Sequence, residues 1–171
     1  MRSTAGPRPP PPSAGRRHRP GRGRDHLVPG RGLEPARRQL AEVGAAGLSL
    51  RAVAREMGMA SSAVYRYFPS RDELLTRLII DGYDALGAAA EDADDLTALP
   101  RERWLAACRA VRSWALTHPH EYALLYGSPV PGYAAPRDTV PSAARVGVVL
   151  GRILGDAARC RRSPDASSTR P

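Results

Sequence analysis

The chain has 171 residues, 42% of them hydrophobic, and a formal charge of +9, which is enough for one domain or two small ones around a sizeable core. Residues 1–32 hold eight arginines against one acid, Asp25, and the rest holds 18 arginines against 16 acids, so the folded part is near neutral and any nucleic-acid argument rests on local placement. No apolar run approaches the ~18 residues of a membrane helix, the basic N-terminus lacks a signal-peptide core, and Cys108 and Cys160 lack metal-ligand spacing, which together point to a reduced, cytoplasmic setting without membrane, metal or cofactor.

In chain order, residues 1–32 are rich in Pro, Gly and Arg and read as a disordered tail. "LEPARRQLAEVG" then predicts a helix of two to three turns, with Pro35 tolerated in its first turn and Gly44 as its stop. In "LSLRAVAREMGM", Ser49 is an N-cap candidate, and Leu50, Val53, Ala54 and Met57 share one helical face. A second short helix is predicted from about Ala60 to Phe68, closed by Pro69. Ser70 and Glu73 form a capping box that opens a longer helix with apolar positions Leu74, Leu75, Leu78, Ile79, Tyr83 and Leu86. After the acidic break at 91–97, a helix from about Pro100 carries Trp104, Cys108, Val111, Trp114, Ala115 and His118 as its stripe. Pro119 starts a further short segment. Residues 127–141, with four prolines and two glycines, read as a loop. A last helix, 141–158, has Ala143, Val146, Leu150, Ile153, Leu154 and Ala157 on its apolar face, and 161–171 reads as a disordered tail. No strand pattern emerges, so the expected fold is all-α, with a helix-turn-helix unit at 33–83 and a C-terminal helical unit at 84–160.

Ala54, Gly58 and Val64 have the spacing of a helix-turn-helix: a small residue where two helices cross, a residue tolerant of positive φ at the turn, and an apolar residue facing back. At 100° per residue, Ser62 and Arg66 point away from Val64, flanked by Ala63 and Tyr65. Ser61 and Ser62 are small enough for a major groove. Tyr65 and Tyr67 can hydrogen-bond phosphates, Arg66 can read guanine or pair with phosphate, and Arg71 lies where a phosphate meets free helix amides. An ordinary helical corner would share the spacing but not the text "YRYF-PSRDELL".

"LSLRAVAREMGMASSAVYRYFPSRDELLTRLI" resembles the DNA-binding segment of TetR-type transcriptional regulators over roughly 33–83. The resemblance implies an all-helical protein with an N-terminal three-helix DNA-binding domain and a C-terminal ligand-binding and dimerisation domain. By position it implies DNA contacts from Ser49, Arg51, Ala60, Ser61, Ser62, Ala63, Tyr65, Arg66, Tyr67 and Arg71. "WALTHPHEYALLYG" resembles the branch marked by Trp, His and Gly, here Trp114, His118 and Gly127. That family normally has two long C-terminal helices for a four-helix dimer interface, and only 141–158 is evident, so a truncated C-terminal domain is expected. Trp104, Cys108, Trp114, His118, Tyr122, Tyr126 and Tyr133 are candidate pocket residues. Trp114 and His118, four apart, read more readily as core residues, the histidine hydrogen-bonded.

The function implied is a ligand-responsive repressor: a homodimer on a near-palindromic double-stranded operator, released by a small-molecule effector. The alternative is a truncated or non-specific basic DNA binder, whose arginine tail supplies the affinity and which has no effector response. An enzyme is not expected. Cys108 with His118 or His120 is the only nucleophile–base pairing to consider, and these lie ten or more residues apart along a helical segment with no oxyanion or metal motif.

Overall fold

The computed structural model describes residues 33–162; the disorder expected at 1–32 and at 163–171 lies outside the described residues. Seven α-helices occur there: α1 (Glu34–Val43), α2 (Leu50–Glu56), α3 (Ser61–Val64), α4 (Arg71–Asp92), α5 (Pro100–Thr117), α6 (Pro119–Tyr126) and α7 (Val140–Arg162). Short 3-10 turns stand at Ala45–Gly47 and Arg137–Thr139. Among the described residues there is no strand, and no helix is long and apolar enough to cross a membrane.

The apolar pattern sorts the helices around two clusters. In the first, Leu33, Ala36, Leu48, Leu50, Val53, Ala54 and Val64 close over Leu74, Leu75 and Leu78 of α4. Each fully buried leucine or valine of this cluster contributes about 1.5–3 kcal/mol. In the second, Ala90 of α4 meets Ala107 of α5 and Val149 and Ile153 of α7, with Trp104, Val111, Val146 and Leu150 packed around them. Leu154, expected on the apolar face of α7, is 55% exposed, and Val149 takes the buried position. Its neighbour Ile153 fixes the phase. α4 runs unbroken through residue 83, so the expected boundary at 83/84 falls inside a helix.

Polar clamps hold the second cluster. Arg103 is buried and donates to both Asp94 oxygens at 2.6 and 3.1 Å and to Asp156 at 2.7 Å. Arg152 of α7 adds a 2.6 Å bond to Asp94. These bonds hold the Asp94 carboxyl below its usual range, led by that from Arg103, against the opposing effect of burial. Arg145 of α7 forks onto Glu91 at 2.9 and 2.6 Å and reaches the Asp84 backbone oxygen at 2.9 Å, so α7 is riveted along α4.

Candidate nucleic-acid interface

The corner between α2 and α3 is made by its backbone. Gly58 adopts φ +64°, donating to the Arg55 carbonyl at 3.1 Å, and Met59 donates to the Ala54 carbonyl at 2.9 Å. This paired 5→2 and 6→1 closure needs a residue at ease in the left-handed region. Ala54 and Val64 are both fully buried at the crossing. α3 is one turn, Ser61–Val64, where the sequence predicts a helix to Phe68. Beyond it the chain tightens, with Arg66 and Tyr67 donating to the carbonyls three residues back at 3.3 and 3.0 Å. Pro69 is the physical reason: it disfavours helical geometry at Phe68, so the last turn is squeezed.

This corner sets the exposure of the candidate residues. Ala60, Ser61, Ser62, Tyr65, Arg66 and Tyr67 are exposed and Ala63 is half-buried. Ser49 occupies the N-cap position of α2, but its hydroxyl makes no capping bond. Its backbone amide donates to Gln39 Oε1 at 3.2 Å, a support from α1 that the sequence pattern did not flag. Arg51 is exposed, and Arg55, one turn on, shares its face. Its i+4 spacing from Arg51 was the available signal. Neither these two nor Arg66 enters an ion pair among the described residues. Glu56, in contrast, is neutralised by Arg38 at 2.9 Å. The result is a hydroxyl-rich ridge carrying the unpaired arginines Arg51, Arg55 and Arg66, with Glu56 paired off beside it.

The Arg71 guanidinium is already engaged within the fold, donating to the Ala45 and Ala46 carbonyls at 2.8 and 3.2 Å. It ties the start of α4 to the turn before α2. The Ala45 carbonyl also accepts from the Leu48 amide at 3.4 Å, and one guanidinium serves both oxygens at once.

A half-open chamber of about 520 Å3 lies between α4, α6, the 127–139 loop and α7. Of the candidate pocket residues, only Tyr133 lines it. Cys108 is exposed, because Arg103 and Ala107 set the buried phase of α5. Trp104 packs on the second core cluster. Trp114 is buried, and His118 stacks on it at 4.7 Å with Nδ1 3.1 Å from the Trp114 carbonyl. Tyr122 and Tyr126 pack with their rings tilted by 43° and centroids 4.9 Å apart, and Tyr126 stands edge-on to Tyr83 at 5.8 Å. Tyr83, which does line the chamber, donates to the Leu125 carbonyl at 3.1 Å, and burial pushes its phenol up. Aromatic spacing on single helices could not reveal a chamber built by a loop. Among the described residues no group of His, Cys, Asp and Glu has the arrangement of a metal site.

Residues 33–78 match the model of the bacterial regulatory proteins of the tetR family, and residues 104–170 match a tetracyclin repressor-like C-terminal domain. The chain belongs to the TetR family. The HTH-type transcriptional regulator Rv1816 of Mycobacterium tuberculosis is 53% identical over 127 residues, which cover 72% of this chain and 51% of that protein. The counterpart in Mycobacterium bovis, Mb1846, aligns with the same figures. This TetR-family chain therefore spans about half the length of the curated relatives it matches. Among solved structures, a protein of unknown function from a Rhodococcus species superposes with TM-score 0.66 at 32% identity, covering 78% of this chain and 70% of that one. The TetR family transcriptional regulator PfmR of Thermus thermophilus shares the fold, with TM-score 0.64 at 22% identity over 79% and 75% of the two chains.

Proposed function

We propose that this TetR-family protein is a sequence-specific transcriptional repressor that binds a palindromic operator as a homodimer in the cytoplasm and releases it when a small molecule binds. The observation that carries the reading is the tight α2–α3 corner, which leaves Ser62 and Arg66 exposed beside Tyr65 and Tyr67. In this reading Ser61 and Ser62 approach base edges, Arg66 reads a guanine, and Ser49, Arg51, Tyr65 and Tyr67 grip phosphates. Ala60 and Ala63 keep the approach close. Arg55 adds positive charge on the same side.

The outer face of α7 supports the dimer. Val140, Ala144, Gly147, Val148, Gly151 and Leu154 are exposed along one stripe with no charge among them. Added Cβ atoms at Gly147 and Gly151 would meet nothing within 4 Å. Exposed helix-interior glycines cost about 1 kcal/mol each relative to alanine, a cost offset when a second α7 packs closely there. Two recognition helices then stand about 34–36 Å apart, one DNA turn. The Trp–His–Gly branch is supported by Trp114 under the His118 ring and by Gly127, where a Cβ would fall 2.3 Å from the Ala123 carbonyl.

Selection of bound duplexes from a random pool, with mass measurement of the complex, tests this. A two-fold symmetric consensus and a dimer on it are expected; an unstructured pool bound by monomers would overturn the reading. The eight arginines of residues 1–32 favour a second reading, non-specific binding through the tail. Deleting residues 1–32 separates the two: the first predicts a shallower salt dependence with operator preference retained, the second predicts loss of all binding.

A further inference from the structure

Resting on the effector-responsive reading, we propose that the chamber takes an uncharged, largely apolar ligand and that segment Ser128–Val130 passes its occupancy to the turn before α2. The lining offers Ile79, Leu125, Val130, Val140 and Ala143 and no Arg, His, Asp or Glu. Its main hydroxyls are already engaged. Tyr83 donates to the Leu125 carbonyl, Thr139 donates to the Pro136 carbonyl at 2.8 Å, and Tyr133 shares a 2.9 Å bond with Thr76. An ionised ligand would sit there without a counter-charge, at a high desolvation cost. The volume lies within the 300–1,000 Å3 range that encloses drug-sized molecules.

The coupling rests on a shared wall. Leu124, Ser128, Pro129 and Val130 line the chamber on one side and, on the other, a cleft of about 310 Å3 that reaches Val43 and Gly44–Ala46. Leu124, Val130 and Tyr133 also pack against the core of the helix-turn-helix unit. The wall is stiff. Val130–Tyr133 closes with a 3.1 Å bond around Pro131 and Gly132, the latter at φ +75°, the residues and φ of a type II turn. Tyr133 anchors it to Thr76 of α4. A stiff wall with a chamber behind it and a cleft before it moves as a block. Its forward face looks across the cleft to Ala45 and Ala46, the residues whose carbonyls Arg71 holds, immediately before α2. A ligand that prefers the displaced wall shifts the population away from the DNA-competent arrangement.

Decan-1-ol and decanoate, equal in chain length and different in charge, are the probes. Calorimetry should show decan-1-ol binding and decanoate at least about tenfold weaker; equal affinities, or no decan-1-ol binding, would overturn the ligand class. Ala143→Phe, with Val140→Trp as a second filling variant, should abolish decan-1-ol binding, and unchanged binding in both would overturn the site. Decan-1-ol should weaken binding to the selected operator by about fivefold or more and alter hydrogen exchange of the amides between Gly44 and Ser49. Pro131→Gly, which loosens the turn from outside the chamber, and Val43→Gln, which changes the facing side of the cleft, should bind decan-1-ol normally and lose most of both responses. Full responses in both variants would overturn the coupling. The exchange measurement needs no DNA, so it separates failure of the coupling from failure of the operator reading, which the duplex selection alone decides.

Discussion

At the scale of single residues, the α2–α3 corner divides its work between buried and exposed side chains. Ala54 and Val64 hold the angle, and Ser62 and Arg66 are left outward. Arg66→Ala should cost about 1–3 kcal/mol at one base position of the operator and little at the others, whereas Tyr65→Phe should weaken all duplexes alike, since a phosphate contact carries no base information. Affinities across single-base operator variants check both, and a uniform loss for Arg66→Ala would remove its reading role. Gly58→Ala should destabilise the fold by about 1–2 kcal/mol through backbone conformation alone, because no atom lies within 4 Å of the added carbon. Denaturant unfolding of the two proteins measures it. The corner was legible in the sequence because its determinants are local: a spacing, a glycine and a proline. The roles of Arg71 and Gln39 were not, since each is set by a partner 10 to 26 residues away across a turn.

At the scale of elements, helix starts followed their signals closely. Ser70 caps α4 by accepting from the Glu73 amide at 3.1 Å, and Pro100 and Pro119 open α5 and α6. Helix phase was harder. On α5 an arginine outside the predicted apolar stripe is buried, because Asp94 and Asp156 converge on Arg103 from other parts of the chain. That displacement turns Cys108 outward, and it does not line the chamber. On α7 the exposed stripe makes its own prediction. Gly151→Arg should leave the helical content unchanged by circular dichroism, halve the particle mass in solution, and lower operator affinity by about a hundredfold or more as the two half-sites cease to be held together. A variant that stays dimeric would move the interface elsewhere.

At the scale of the whole molecule, the ion-pair clusters between α4, α5 and α7 make stability depend on acid. Asp94 and Asp156, each held low chiefly by a hydrogen bond from Arg103, and Glu91, held low by Arg145, all have depressed carboxyl values in the folded state. Depressed acids contribute stability that is complete above their unfolded values, about 4, and that is lost as pH falls through the folded ones. Melting temperatures should therefore hold from pH 7 to about 5 and fall steeply below about 4. Asp94→Asn should melt lower at pH 7 and show a flatter fall in acid; an equally steep fall would assign the acid sensitivity to other groups.

α4 belongs to both halves, from the capped end beside the helix-turn-helix to the end riveted by Arg145 and Arg103. The halves thus share a shaft and are not strung on a tether. A fragment cut at residue 83 would sever that shaft and part the helix-turn-helix core from Leu124, Val130 and Tyr133, which pack against it. The shaft is about 33 Å long. Pivoting it by roughly 5° at the riveted end carries its capped tip about 3 Å, close to the ~3.4 Å rise of one base pair. Under the proposed operator reading, a swing smaller than the width of a single side chain would take the α2–α3 corner off its base pair.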